Sequence, residues 1–130
     1  MFIGNQQSGY AFGNDIVVDA NYRIVATVQT GNSIPPADQH EYQLAQDGQT
    51  ALMTSYRTIP FDLSFEPYNV TNQQGWLLEG VFQEVNTTTG QVLFEWFSSN
   101  HVDISDTRIA PHSFGQSGDG FTPHSGFDYL

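Results

Sequence analysis

The chain has 130 residues, the size of one domain, and its 38% hydrophobic and 14% aromatic content argues against wholesale disorder. Fourteen acidic residues face three arginines and no lysine, a net charge of −11. That balance argues against nucleic acid and against anionic membrane surfaces as partners.

The absence of cysteine excludes a disulfide framework and thiolate metal sites. No window reaches the roughly 18 apolar residues of a membrane span. The opening residues, Met1 to Gln7, carry neither a basic segment nor an apolar run of leader length, so nothing in them directs export. Two glycosylation sequons, Asn69-Val70-Thr71 and Asn86-Thr87-Thr88, hint the other way, and the compartment stays open. Six prolines and twelve glycines, spread along the length, favour short strands and many turns.

Residues 1 to 13 are polar, with Tyr10 and Phe12 as the large anchors. Asp15 to Asp19 and Tyr22 to Gln29 are β-rich and flank the turn signal Asp19-Ala20-Asn21, which predicts a hairpin. Tyr22, Ile24, Ala26 and Val28 make the more apolar face of its second strand. Thr30 to Asp38, with Pro35 and Pro36, is a loop.

Gln39 to Trp96 predicts four strands in one antiparallel sheet. Residues 39–45 and 50–56 flank the hairpin signal Asp47-Gly48, and Tyr42, Leu44, Leu52 and Tyr56 supply bulk. Arg57 to Gln74 predicts a long surface loop packed by Phe61, Leu63 and Phe65. Trp76 to Val85 is ambiguous, because Leu77, Leu78, Val81, Phe82 and Val85 also lie at helical spacing. The strand reading is preferred: Gly80 lies inside the run, and Thr87 to Gly90 turns it into a second β-rich run, Gln91 to Trp96. Ser98 to Leu130 shows little regular signal and holds His101, His112 and His124.

Several of these runs resemble the fungal arylsulfotransferase-like proteins. Asp19 to Val28 resembles their D-x-N-Y-x-x-V-x-x-V segment. His40 to Leu44 with Gly48 to Leu52 resembles H-E-F-x-x-T-x-x-G-T-A-L. Phe82 to Val85 and Thr89 to Trp96 resemble F-Q-E-x-D-x-x-T-G-x-V-L-F-E-W, and His101-Val102 with Ser105 resembles the D-H-V-x-L-S that follows. The likeness covers residues 13 to 104 in order and spacing, and Phe127-Asp128-Tyr129 resembles the start of W-D-Y-F-H-I-N-S.

The resemblance implies an all-β fold of antiparallel four-stranded propeller-blade sheets. About one and a half blades of a β-propeller of about six are present. The hairpin spans 13–29 and one blade 39–97 within a partial propeller of 13–104. The tail 105–130 is irregular and leads toward a missing next blade. It also implies transfer of a sulfuryl group between phenols through a histidine, with no nucleotide donor and no cofactor. Partners are then a phenolic sulfate ester and a phenol, and full-length relatives are secreted or membrane-anchored. As a truncated member, the chain is expected to be inactive alone.

Within that frame His40 is the main catalytic candidate, placed where a loop enters the first strand of the blade. A histidine attacking sulfur must be neutral at one nitrogen, and a carboxylate on the other fixes the tautomer. Glu41 is not its natural partner, because adjacent strand residues face opposite ways. The structural reading of His40 is a strand-end residue bonded to nearby backbone. His101 is a second catalytic candidate, or a loop-ordering residue. Arg57 and Arg108 are the substrate-binding candidates, since sulfate oxygens need cations. A metal site of His101, His112 and His124 fits no zinc spacing. Trp76 and Trp96 read as blade packing.

Three functional expectations remain open. One is a partial propeller, inactive alone, whose open sheet edges invite self-association. Another is an enzyme that works after assembling into a ring. The third is a non-catalytic β-sheet interaction module gripping a partner through Phe61, Leu63, Phe65 and Tyr68.

Overall fold

A computed structural model describes residues 2–7, 10–110 and 113–128. The described residues form eight strands and three single-turn 3-10 helices, with no α-helix among them. The strands are β1 (Phe2–Gln7), β2 (Tyr10–Val18), β3 (Ile24–Val28), β4 (Tyr42–Ala45), β5 (Thr50–Phe61), β6 (Gly75–Asn86), β7 (Val92–Phe97) and β8 (Phe127–Asp128). The fold is all-β.

Two sheets result. One has the order β1-β2-β3, and the other β4-β5-β6-β7 with β8 on β6. In the first, β2 and β3 form an antiparallel hairpin with Asp15 opposite Val28. Asp19 closes its turn, its Oδ1 accepting from the amides of Asn21 at 2.8 Å and Arg23 at 2.9 Å. The polar opening residues pair along β2 as β1, from Phe2 opposite Asp15 to Gln7 opposite Tyr10. Ladder bonds are made by backbone, so a strand without an apolar face still forms beside an available edge.

The second sheet follows the four-run pattern. β4 and β5 are antiparallel, Tyr42 opposite Met53 and Ala45 opposite Thr50. The trace from β6 to β7 closes on itself, with the Gly90 amide donating to the Asn86 carbonyl at 2.9 Å. β5 continues through Arg57 to Phe61, where the sequence suggested a loop. β4 covers only Thr50 to Met53, so one edge of the later β5 residues has no β4 partner, and proline is tolerated at such edge positions.

The chain divides into two compact units, one of Met1–Tyr56 with Val81–Trp96 and the other of Arg57–Gly80 with Phe97–Leu130. The first is built on buried Val28, Ala37, Ala51, Met53 and Val85. Ala51 and Met53 are fully buried while Leu44 stays exposed. The second is built on Leu63, Val70, Leu77, Ile104 and Phe127. Leu63 therefore enters the core from the 62–74 loop, and Phe127 anchors the irregular 113–128 segment by pairing in parallel with β6 at Leu77. A Cβ at Gly75 would lie 2.7 Å from the Phe61 carbonyl oxygen and 2.9 Å from Leu63 Cβ, so only glycine allows that approach.

Candidate functional site

His40 lies just ahead of β4, at the end of the proline loop. That loop is tied down at several points. Ser55 Oγ donates to the carbonyls of Pro35 at 2.8 Å and Pro36 at 3.0 Å. Gly13 N–H donates to the Ala37 carbonyl at 3.0 Å, and Asp38 N–H to that of Thr54 at 2.8 Å. Asp38 is thereby held in the interior with a fully buried side chain.

The His40 ring, by contrast, is 58% exposed, and its Nδ1 makes a close contact with Asp38 Oδ2. The same oxygen accepts from the His40 amide at 3.1 Å. An Nδ1–H donated to a carboxylate leaves the lone pair on Nε2. The partner is Asp38, two residues back, and not Glu41, which is exposed. In extended chain, residues two apart share a face, and that spacing was the available signal.

Arg57 and Glu79 form the second polar cluster, within the other unit. Arg57 Nε lies 2.5 Å from Glu79 Oε2, with the carboxylate fully buried. Ser99 Oγ donates to the other Glu79 oxygen. The Arg57 guanidinium carbon also stands 4.0 Å from the centre of the Phe97 ring. Gly80 N–H donates to buried Ser98 Oγ at 3.0 Å. Arg57 thus neutralises a buried carboxylate, which lowers its value as a sulfate receptor. Sequence reasoning missed Glu79 because its partner is 22 residues away.

Arg108 is exposed and lines a groove with Phe65 and Tyr68. His101 is exposed in the turn after Ser98–Asn100, its amide donating to the Ser98 carbonyl at 3.0 Å. His124 is exposed, and His112 lies outside the described residues. No group of three metal-ligating side chains occurs among the described residues.

A family model described as arylsulfotransferase (ASST) matches residues 1–128. The chain belongs to the arylsulfotransferase family. Searches of curated proteins and of solved structures return no match. In this arylsulfotransferase chain, His40 and Asp38 give an exposed imidazole on a buried carboxylate. No helix among the described residues is long and apolar enough to cross a membrane.

Proposed function

We propose that this chain is part of an arylsulfotransferase β-propeller and that His40 carries the sulfuryl group between two phenols. The supporting observation is the His40 ring set by buried Asp38 with its other edge in solvent. In the first half-reaction the His40 Nε2 lone pair forms an N–S bond as the aryl O–S bond breaks, and the phenolate leaves. In the second, an acceptor phenol oxygen takes the group, its proton goes to solvent base, and neutral imidazole returns. Asp38 stabilises the cationic ring of the intermediate through Nδ1–H.

Sustained turnover requires the remaining blades. With Arg57 spent on Glu79, the described chain offers few cations for an anionic ester. In this reading His101 has a turn-ordering role. The test is trapping: one sulfuryl group accumulates on His40 from an aryl sulfate and is lost in His40→Ala.

A second reading, a non-catalytic interaction module, is favoured by apolar residues left exposed on β3 and β7. Ile24 and Val25 are 59% and 61% exposed, and Leu93 and Phe94 are 48% and 50% exposed. In the propeller reading these same residues are where further sheets pack, and where the isolated chain self-associates.

A further inference from the structure

The His40 chemistry uses neither of the two sequons, Asn69-Val70-Thr71 and Asn86-Thr87-Thr88. In sequence the two are equivalent, and the fold separates them.

Asn69 lies in the 62–74 segment between β5 and β6, where a tight turn begins at Phe65. The amides of Tyr68 and Asn69 both donate to the Phe65 carbonyl, at 2.9 and 3.1 Å. Asn69 has φ 56°, a left-handed conformation that asparagine tolerates better than most residues. Val70 is buried, and its N–H donates to the Leu63 carbonyl at 2.8 Å. The residues on either side of it, Asn69 and Thr71, are exposed. Asn69 Nδ2 donates to Glu66 Oε2 at 3.1 Å and to the Pro67 carbonyl at 3.3 Å.

Asn86 is the half-buried last residue of β6. Its Oδ1 accepts from the amides of Thr88 at 3.0 Å and Thr89 at 2.8 Å. Thr87 Oγ1 donates to the Gly48 carbonyl at 2.7 Å, and the Thr87 N–H donates to that of Gln49 at 3.0 Å. The Asn86 N–H donates to the Gln91 carbonyl at 2.8 Å. All these partners precede Asn86 in the chain or follow within a few residues. A hairpin of this kind closes in about 1–10 μs once its second strand exists.

The 62–74 segment closes much later. Gln73 Nε2 donates to the Phe121 carbonyl at 2.7 Å, and the Tyr68 ring stands edge-on to Phe127 with centroids 4.8 Å apart. Synthesis at roughly 5–20 residues per second takes about 3–12 s to pass from Asn69 to Phe127. Throughout that interval the Asn69 sequon lacks these anchors and stays open to a modifying enzyme. The Asn86 sequon has by then folded into its turn.

We infer that Asn69, ahead of Asn86, is the N-glycan acceptor when this chain passes through a secretory lumen. The donor is an oligosaccharide carried on a lipid diphosphate. Asn69 Nδ2 forms a bond to the sugar C1 as the C1–O bond breaks. The lipid diphosphate leaves with the electron pair, and one Nδ2 proton goes to base. The remaining N–H still serves Glu66 Oε2, so the folded turn accepts the glycan. The bulky polar sugar is then attached beside Phe65, whose ring is 42% exposed, and solubilises that surface. The assignment does not rest on His40 being the sulfuryl carrier.

The test is secretion of the full chain from a eukaryotic host behind a cleavable leader, which supplies entry to the lumen. Glycans are then released by an amidase in heavy-oxygen water, which leaves a labelled aspartate at each glycosylated position, and peptides are mapped by mass spectrometry. Label is expected at position 69 in most chains, and severalfold less often at position 86. Asn69→Gln and Thr71→Ala abolish label at position 69, Thr71→Ser retains part of it, and Asn86→Gln leaves it unchanged. The glycosylated chain keeps the circular dichroism of the released chain. No label at position 69 in the secreted folded chain, or label at position 86 as frequent as at 69, overturns the assignment.

Discussion

Buried carboxylates show how far neighbours decide a residue's chemistry. Asp38 meets a histidine, and Glu79 meets an arginine and a serine. Burial alone pushes Asp119 upward, but hydrogen bonds from Ser125 Oγ and the amides of Phe121 and Gly115 together outweigh it and hold the carboxyl below its ordinary value. Asp15 has no such relief. Its Oδ2 accepts no hydrogen bond, and burial pushes its carboxyl up to about 6. The Tyr42 hydroxyl, also buried without a partner, is pushed up by burial and then by the Asp15 charge.

The raised Asp15 pKa gives stability a pH dependence of known sign. The folded form binds the proton more tightly than the unfolded chain, whose value is near 3.8. Its contribution is therefore fully favourable below pH 4 and is lost as pH rises through about 6, by roughly 3 kcal/mol in all. Urea unfolding from pH 4 to 8 should show that decline superimposed on the other groups, and Asp15→Asn should remove it. An unchanged slope in Asp15→Asn contradicts the assignment. At this scale the sequence reading weighs Glu41 and misses Asp38 as the partner of His40, although the two-residue spacing offers the signal. The state of Asp15 was not legible, because it depends on what β2 is packed against.

At the scale of elements, β6 is the instructive case. Its inward series is Gly75, Leu77, Glu79, Val81, Gln83 and Val85, all buried. Two polar members break the apolar alternation, which is why a helix competed with a strand in the sequence. Each is satisfied by distant groups. Gln83 Oε1 accepts from the Gly31 amide at 3.0 Å and its Nε2 donates to Glu95 Oε1 at 2.5 Å. Phe82, on the other face, packs on Phe94 with centroids 6.2 Å apart. The hairpins were legible because Asp19-Ala20-Asn21, Asp47-Gly48 and Thr87 to Gly90 are local turn chemistry. β1, the extension of β5 and the two-residue β8 were not, since they depend on an available edge elsewhere in the chain.

The Arg57–Glu79 pair yields the prediction at this scale. Removing one partner strands a buried charge, so Arg57→Ala should cost on the order of 3 kcal/mol. The double change Arg57→Met with Glu79→Leu should cost clearly less, because neither charge is left behind. Denaturant titration of both variants checks this. Equal losses would mean that packing on Phe97, and not the ion pair, sets the stability.

Across the whole molecule, the match over residues 1–128 and the strand order β4-β5-β6-β7 agree with an all-β arylsulfotransferase. The exposed apolar pairs on β3 and β7 predict self-association. Light scattering should report oligomers for the parent chain, and Val25→Lys with Leu93→Lys should shift it toward monomer. A monomeric parent chain at high concentration contradicts covered faces at β3 and β7.

The most direct measurement is peptide mapping by mass spectrometry after incubation with 4-nitrophenyl sulfate and an alkaline quench. One SO3 group is expected on His40, absent in His40→Ala and formed roughly 100-fold more slowly in Asp38→Asn, where the ring loses its orientation. Label on His101 instead, or no label on a folded chain, would contradict sulfuryl transfer through His40.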